Sequence, residues 1–247
     1  MCTASWVCAP DHYTLYFNRD EQRSRAVGRP PRVLQSGGVR ALAPEDAEAG
    51  GTWLGVNELG VTVCLLNRAP GEPGPLRQVS PRGPTSRGLL VASLLDAASA
   101  PEVRLRVDAM NLSRFQPFTL IAIEPGHPAI LLGWDGNDVT RRMVERPGLI
   151  ATSSSLDGGT VRASREQLFS RVVHPDDRAL RDLHRSHLPT AGAVSVCMHR
   201  GDAETVSACR VEVQAAEVSI EYTPGAPCRG ARATIHQLAR LEAGVSA

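Results

Sequence analysis

The sequence predicts a layered α+β sandwich, on three observations. Apolar and aromatic alternation comes in pairs of short runs joined by turn residues, clearest over 52–66 and 118–134. Helical periodicity is confined to separate stretches, near 86–97 and 164–187. Strands clustered around separated helical pairs suit sheets covered by helices rather than a wound parallel sheet. At 247 residues with no internal repeat, a single domain over 1–247 is expected.

Residues 2–8 read as a strand, Ala9-Pro10-Asp11-His12 as a turn, and 13–18, rich in aromatic residues, as a returning strand. That pairing carries residues 18–21 back beside Cys2. Residues 23–32, polar and holding Gly28 and Pro30-Pro31, are expected to be loop. In 52–66, Trp53-Leu54-Gly55-Val56 runs into the turn Asn57-Glu58-Leu59-Gly60, and the returning strand ends at Asn67. Residues 68–87 are dense in Pro and Gly and predict a long structureless loop, a flap over a pocket or plain surface. Thr85 or Ser86 caps a helix with the stripe Leu89, Leu90, Leu94 and Ala97, ended by Pro101. Residues 104–115 are ambiguous.

Residues 118–123 and 129–134 form a second hairpin around Glu124-Pro125-Gly126-His127, and 149–152 a short strand leading into Ser153-Ser154-Ser155. Ser164-Arg165-Glu166-Gln167 fits a capping box, and 176–187 a further helix with acidic residues at its positive end. Residues 193–198, 205–213 and 218–222 read as late strands; 231–243 fits helix or strand equally.

Composition narrows the function. The formal net charge is +1, which leaves no electrostatic footprint for nucleic acid. No apolar run reaches the roughly 18 residues of a membrane span. No charged n-region precedes an apolar stretch at the amino terminus, so a cytoplasmic location is expected. All 27 basic residues are Arg; the absence of Lys rules out Schiff-base chemistry and a P-loop. The six cysteines include no C-x-x-C pair, so neither structural zinc nor a disulfide framework is expected, and Cys64 and Cys197 read as core thiols. His174, His184 and His187 with Asp176 and Asp177 resemble a metal cluster, but His174 falls off the helical face the other two share. Cys197-Met198-His199-Arg200 with Asp202 reads as a local polar cluster at a strand end, since Cys and His close in sequence do not by themselves make a dyad. No metal or cofactor is therefore expected.

The chemistry concentrates at the start. Cys2 follows Met1 and is small enough for an aminopeptidase to strip Met1. The mature chain would then carry a thiol and a free α-amine on one residue. The amine, with a pKa of about 7.7–8.0, can take the thiol proton. Asn18-Arg19-Asp20-Glu21 adds a cation to lower the thiol pKa and carboxylates to orient the amine.

Met1-Cys2, Asn18-Arg19-Asp20-Glu21 with Ser24-Arg25, and Gly50-Gly51-Thr52-Trp53-Leu54-Gly55 resemble the NRDE family, also called the transport-and-Golgi-organisation 2 family. More distantly the chain is similar to the choloylglycine hydrolase and penicillin V acylase group of N-terminal-nucleophile hydrolases. The resemblance implies a four-layer αββα sandwich of antiparallel sheets. The distant group implies amide hydrolysis by Cys2.

Aligned on the second strand, Asn18 stands where that group has an Arg and Glu21 where it has an Asp. Arg19 and Asp20 are displaced between them. Asn67 matches an oxyanion-binding Asn, and Ser153 replaces a second Asn. A later Arg corresponds to Arg162 or Arg165, of which Arg162 is carried as the candidate. The function implied is hydrolysis or acyl transfer on an amide or thioester of a small acylated metabolite. The alternative is a non-enzymatic carrier of lipid, acyl-coenzyme A or haem in the same fold.

Overall fold

A computed structural model describes residues 2–68, 85–145, 147–152 and 158–241. The first sheet is built from β1 (Cys2–Cys8), β2 (Tyr13–Gln22), β10 (Gly148–Thr152), β11 (Ala203–Val213), β12 (Glu217–Pro224) and β13 (Thr234–Ala239), in the order β10-β1-β2-β11-β12-β13. The second is β3 (Arg29–Ser36), β4 (Val39–Glu45), β5 (Leu54–Asn57), β6 (Thr62–Asn67), β7 (Phe118–Ile123), β8 (Ala129–Trp134) and β9 (Val139–Val144), in sequence order. Every pairing is antiparallel.

Strand alternation produces the layers. Trp6, Phe17, Leu54, Leu66, Val211 and Ile220 point inward and fill the space between the sheets. Alternate residues of the second sheet, Val63, Leu65, Leu120 and Leu132, face α1 (Arg87–Ala92) and α2 (Ala100–Asp108) and pack on Leu90, Leu94, Val103 and Val107. On the far side of the first sheet, Tyr16 and Leu149 meet Leu168, Leu180 and Leu183 of α3 (Gly158–Ser170) and α4 (Asp177–Arg185). The fold is the expected four-layer αββα sandwich. No helix among the described residues is long and apolar enough to cross a membrane.

Several elements differ from expectation. Residues 29–36, expected to begin in loop, form β3. As an edge strand of the second sheet it tolerates Pro30 and Pro31, which cannot donate to a ladder. Pro101 does not simply end a helix; it sits in the first turn of α2, where its missing N–H costs nothing, and Ser99 caps that turn by accepting from the Glu102 N–H at 3.2 Å. Helix α3 begins at Gly158, ahead of the capping-box reading at Ser164. Residues 193–198 are not a strand: the stretch is a series of bends. The open stretch near the carboxyl end resolves as β13. Most of the expected loop, 69–84, lies outside the described residues.

Two local devices hold these layers in place. Gly51 has φ +73°, and a Cβ there would lie 2.4 Å from the Gly88 carbonyl carbon. Only glycine lets the 50–51 turn close onto the start of α1, where the Thr52 N–H donates to the Gly88 carbonyl at 3.0 Å. The second device is buried His184. Its Nε2 lies 2.8 Å from Ser5 Oγ and its Nδ1 2.9 Å from Asn18 Oδ1. Since the Asn18 oxygen only accepts, Nδ1 carries the proton and the Ser5 hydroxyl donates to Nε2.

The imidazole is therefore neutral, and burial, reinforced by Arg165, pushes its pKa down to about 3. Between pH ~6.5 and that value the unfolded chain holds a proton the folded chain refuses, so stability falls as pH falls, at up to ~1.4 kcal/mol per pH unit from this residue. Urea midpoints measured from pH 7 to pH 4 are expected to drop accordingly. A His184→Gln variant starts lower at pH 7 and shows a shallower fall; an unchanged slope would assign the acid sensitivity elsewhere.

Candidate active site

Cys2 is the first residue of β1, paired with Arg19 on one side and Thr152 on the other. It lines a cleft of about 330 Å³ that also takes in Arg19, Asp20, Glu21, Asn67 and Arg87. Cys2 is buried, 7% exposed as a residue. Burial pushes its pKa up, opposed by the positive amino terminus and by a hydrogen bond from the Asp20 backbone N–H. Arg19, expected to lower this pKa, is not among the groups acting most strongly on the thiol, and its guanidinium is engaged elsewhere. It lies 4.3 Å from the Trp53 ring centroid, 3.2 Å from an Asp46 carboxylate oxygen and 3.8 Å from Glu21. Arg19 thus knits the second strand to the Gly-Gly-Thr-Trp hairpin across the cleft wall.

Asp20 faces the other way, as alternation on β2 requires. Its side chain is wholly buried; one oxygen lies 3.2 Å from Arg165 Nη1 and the other accepts from Thr205 Oγ1 at 2.7 Å. Burial pushes the carboxyl up, while Arg165 and the amino terminus draw it down. Both carboxylates of the run act on the Cys2 thiol, Asp20 more strongly than Glu21. Glu21 stays at the rim, 3.7 Å from Arg25.

Asn18 is not brought to the cleft. Fully buried, it points at α4 and donates to the carbonyls of His184 and Val196 at 2.9 and 3.1 Å. Its role is to hold helix against sheet. Asn67 closes β6 and does line the cleft. Arg162 is not in the cleft lining; its side chain is 62% exposed on α3, with Glu166 at 3.9 Å. The buried guanidinium is that of Arg165, which also donates to Thr3 Oγ1 and, at 3.5 Å each, to the carbonyls of Ala193 and Val194. Ser153 lies outside the described residues.

Sequence reasoning missed two cleft residues. Asp46 accepts from Arg19 and Arg25 at 3.2 and 2.9 Å. Burial pushes its carboxyl up, but the N–H groups of Ala49 and Glu48 and both guanidiniums outweigh this and hold it below the usual range. Arg87, in the first turn of α1, donates to the Pro117 carbonyl at 2.8 Å; burial draws its pKa down while Cys2 and Glu21 raise it. Nothing local marks either residue, although Arg87 directly follows the predicted cap Ser86.

The His174–His184–His187 grouping does not form: His184 is locked against Ser5 and Asn18, and His174 is exposed. His187 instead gathers with Cys197, His199 and Cys228, all four ligand atoms lying within 4.8 Å of one another.

Comparison with known proteins agrees with this architecture. No curated protein matches the sequence. Among solved structures, the chain resembles the Caenorhabditis elegans ortholog of N-acylethanolamine-hydrolyzing acid amidase, with a TM-score of 0.59 at 10% identity, covering 85% of this chain and 92% of that one. A mutant of conjugated bile acid hydrolase from Clostridium perfringens gives 0.56 at 12% identity over 97% and 92%. Penicillin V acylase from Agrobacterium tumefaciens gives 0.50 at 11% over 100% and 93%. At these identities the likeness establishes the fold, that of N-terminal-nucleophile hydrolases. The family model described as Transport and Golgi organisation 2 matches residues 1–186, and the chain belongs to that family.

Proposed function

We propose that this chain is a cysteine N-terminal-nucleophile hydrolase or acyltransferase acting on an amide or thioester of a small acylated metabolite. The observation that carries the reading is the position of Cys2: first in β1, at a cleft that also takes in Arg19, Glu21 and Asn67, with the buried Asp20 carboxylate behind it. The sulfur is buried and held protonated, so it attacks as a thiol whose proton moves to the neighbouring α-amine in the same event. Its Sγ bonds to the carbonyl carbon, and the Asn67 amide with backbone N–H groups receives the oxyanion. Collapse expels the leaving amine or thiol, which takes the proton from the α-ammonium. Water or an acyl acceptor then attacks the thioester carbonyl and takes the acyl group, the C–S bond breaks, and the attacker's proton passes through the α-amine back to Sγ. Asp20 keeps the ammonium oriented, with Arg165 fixing the carboxylate. A cleft of about 330 Å³ sits at the small end of ligand sites and suits a short acyl chain.

The test is intact mass of the full chain, first for loss of Met1 and then after exposure to a panel of activated acyl thioesters and N-acyl amides. A single acyl adduct on Cys2 is expected, with Asn67→Ala lowering turnover by ~10²–10³-fold at nearly unchanged KM. A chain that retains Met1 in an aminopeptidase-competent host, gives no adduct, and co-purifies with haem or a fatty acyl ligand would replace this reading with the carrier.

A further inference from the structure

The cluster of His187, Cys197, His199 and Cys228 stands apart from the cleft, and none of its members lines it. We propose that these four side chains bind one Zn²⁺ in a closed tetrahedral site that pins the 186–202 segment to the turn after β12. The donor set is two imidazoles and two thiols, which suits a borderline-soft divalent ion and is one of the usual structural zinc sets. The distances fit the edges of such a tetrahedron. With Zn–S of about 2.3 Å and Zn–N of about 2.0–2.1 Å, an N···S edge comes to ~3.6 Å. His199 Nε2 lies 3.6 Å from Cys197 Sγ and 3.3 Å from Cys228 Sγ. The His187 and His199 rings meet edge to face, 5.0 Å apart at 73°.

A second observation points the same way. His199 turns Nε2 toward both sulfurs and Nδ1 toward a carboxylate oxygen of Glu204, 3.8 Å away. A carboxylate behind a ligating imidazole is the usual way of fixing ring orientation in metal sites. Glu204 is itself held by Arg229, next to Cys228, at 2.6 Å.

The ligands come from three places: just past α4, the bends before β11, and the short 3₁₀ turn after β12. Between α4 and β11 the chain makes only an isolated bridge, His199 to Glu204, with no named strand. Yet this segment supplies the carbonyls of Ala193, Val194 and Val196, which receive Arg165 and Asn18. Four protein ligands leave no open position, so the ion is structural. Its effect is to stiffen the scaffold behind Asp20. Binding displaces the two thiol protons, so affinity rises with pH.

The experiment uses the full chain, purified under reducing conditions without chelator and assayed for metal by inductively coupled plasma mass spectrometry. About one Zn²⁺ per chain is expected. Exchange with Co²⁺ should give the thiolate charge-transfer band and the intense visible bands of tetrahedral cobalt. His187→Ala, at the most exposed ligand, should fold and bind Zn²⁺ at least ~100-fold more weakly, while Cys8→Ser, exposed and outside the cluster, keeps full occupancy. Added Zn²⁺ should raise the melting temperature of apo wild type and not of His187→Ala. The proposal is overturned if apo protein with excess Zn²⁺ retains none after gel filtration, or if a Cys197→Ser/Cys228→Ser double variant retains as much as wild type.

Discussion

Cys2→Ala is expected to abolish acyl-adduct formation and turnover while leaving the fold intact. The substitution removes the sulfur that the proposed mechanism acylates. It deletes one sulfur at the wall of a cleft, so the structural cost is about 1 kcal/mol, or about 2–4 °C in melting temperature. Cys64 and Cys209 are fully buried, with pKa values pushed above the ordinary thiol range, Cys209 to about 12. Alanine at either position should lower stability without removing the adduct. Intact mass and circular dichroism together separate the outcomes. An adduct that persists in Cys2→Ala would move the nucleophile elsewhere.

The largest effect on stability is expected from Arg165→Ala. Arg165 is 0% exposed and its guanidinium faces Asp20, whose side chain is equally buried. Removing it strands a carboxylate in low dielectric, at a cost of about 3–5 kcal/mol. That corresponds to a fall of about 6–20 °C in a chain of this size. Pairing the change as Arg165→Met with Asp20→Asn removes both charges and should recover a good part of that loss. Turnover should not recover, because the amine then lacks its orienting carboxylate. A double variant regaining both stability and rate would reduce Asp20 to a structural residue.

The sequence made the strand pairs and the Cys2 cleft legible wherever the signal was local. Residues 2–8, 52–66 and 118–134 carry period-two alternation bounded by turn residues, and the structure places strands there. Legibility failed at the edges. The strands at 29–36 and 139–144 are largely exposed on both faces, so Arg and Pro replace the apolar signal. It failed again at 193–198, where an apolar run read as a strand is a set of bends. No spacing rule there brings His187 and Cys228 to Cys197 and His199, which share one face of an extended strand whether or not the other two join them. Choosing Arg162 over Arg165 was a question of helical phase, which the start of α3 decides. Asp46 and Arg87 reach the cleft from distant segments, and no spacing rule connects them to Cys2.

The polar trio of Ser5, Asn18 and His184 has a consequence for how the chain finds its strand pairing. Sliding β1 along β2 by one residue would turn each side chain of the slipped strand to the opposite face, a change that an apolar sheet interior punishes only in proportion to the volumes exchanged. With Ser5 on β1, Asn18 on β2 and the imidazole from α4, the slipped arrangement also strands three polar groups without partners. The trio therefore acts as a registration key. It disfavours near-miss alignments of the first hairpin and ties the face presented by Cys2 to the correct docking of a helix some 180 residues further along the chain, as the Ser5–His184 separation of 179 shows.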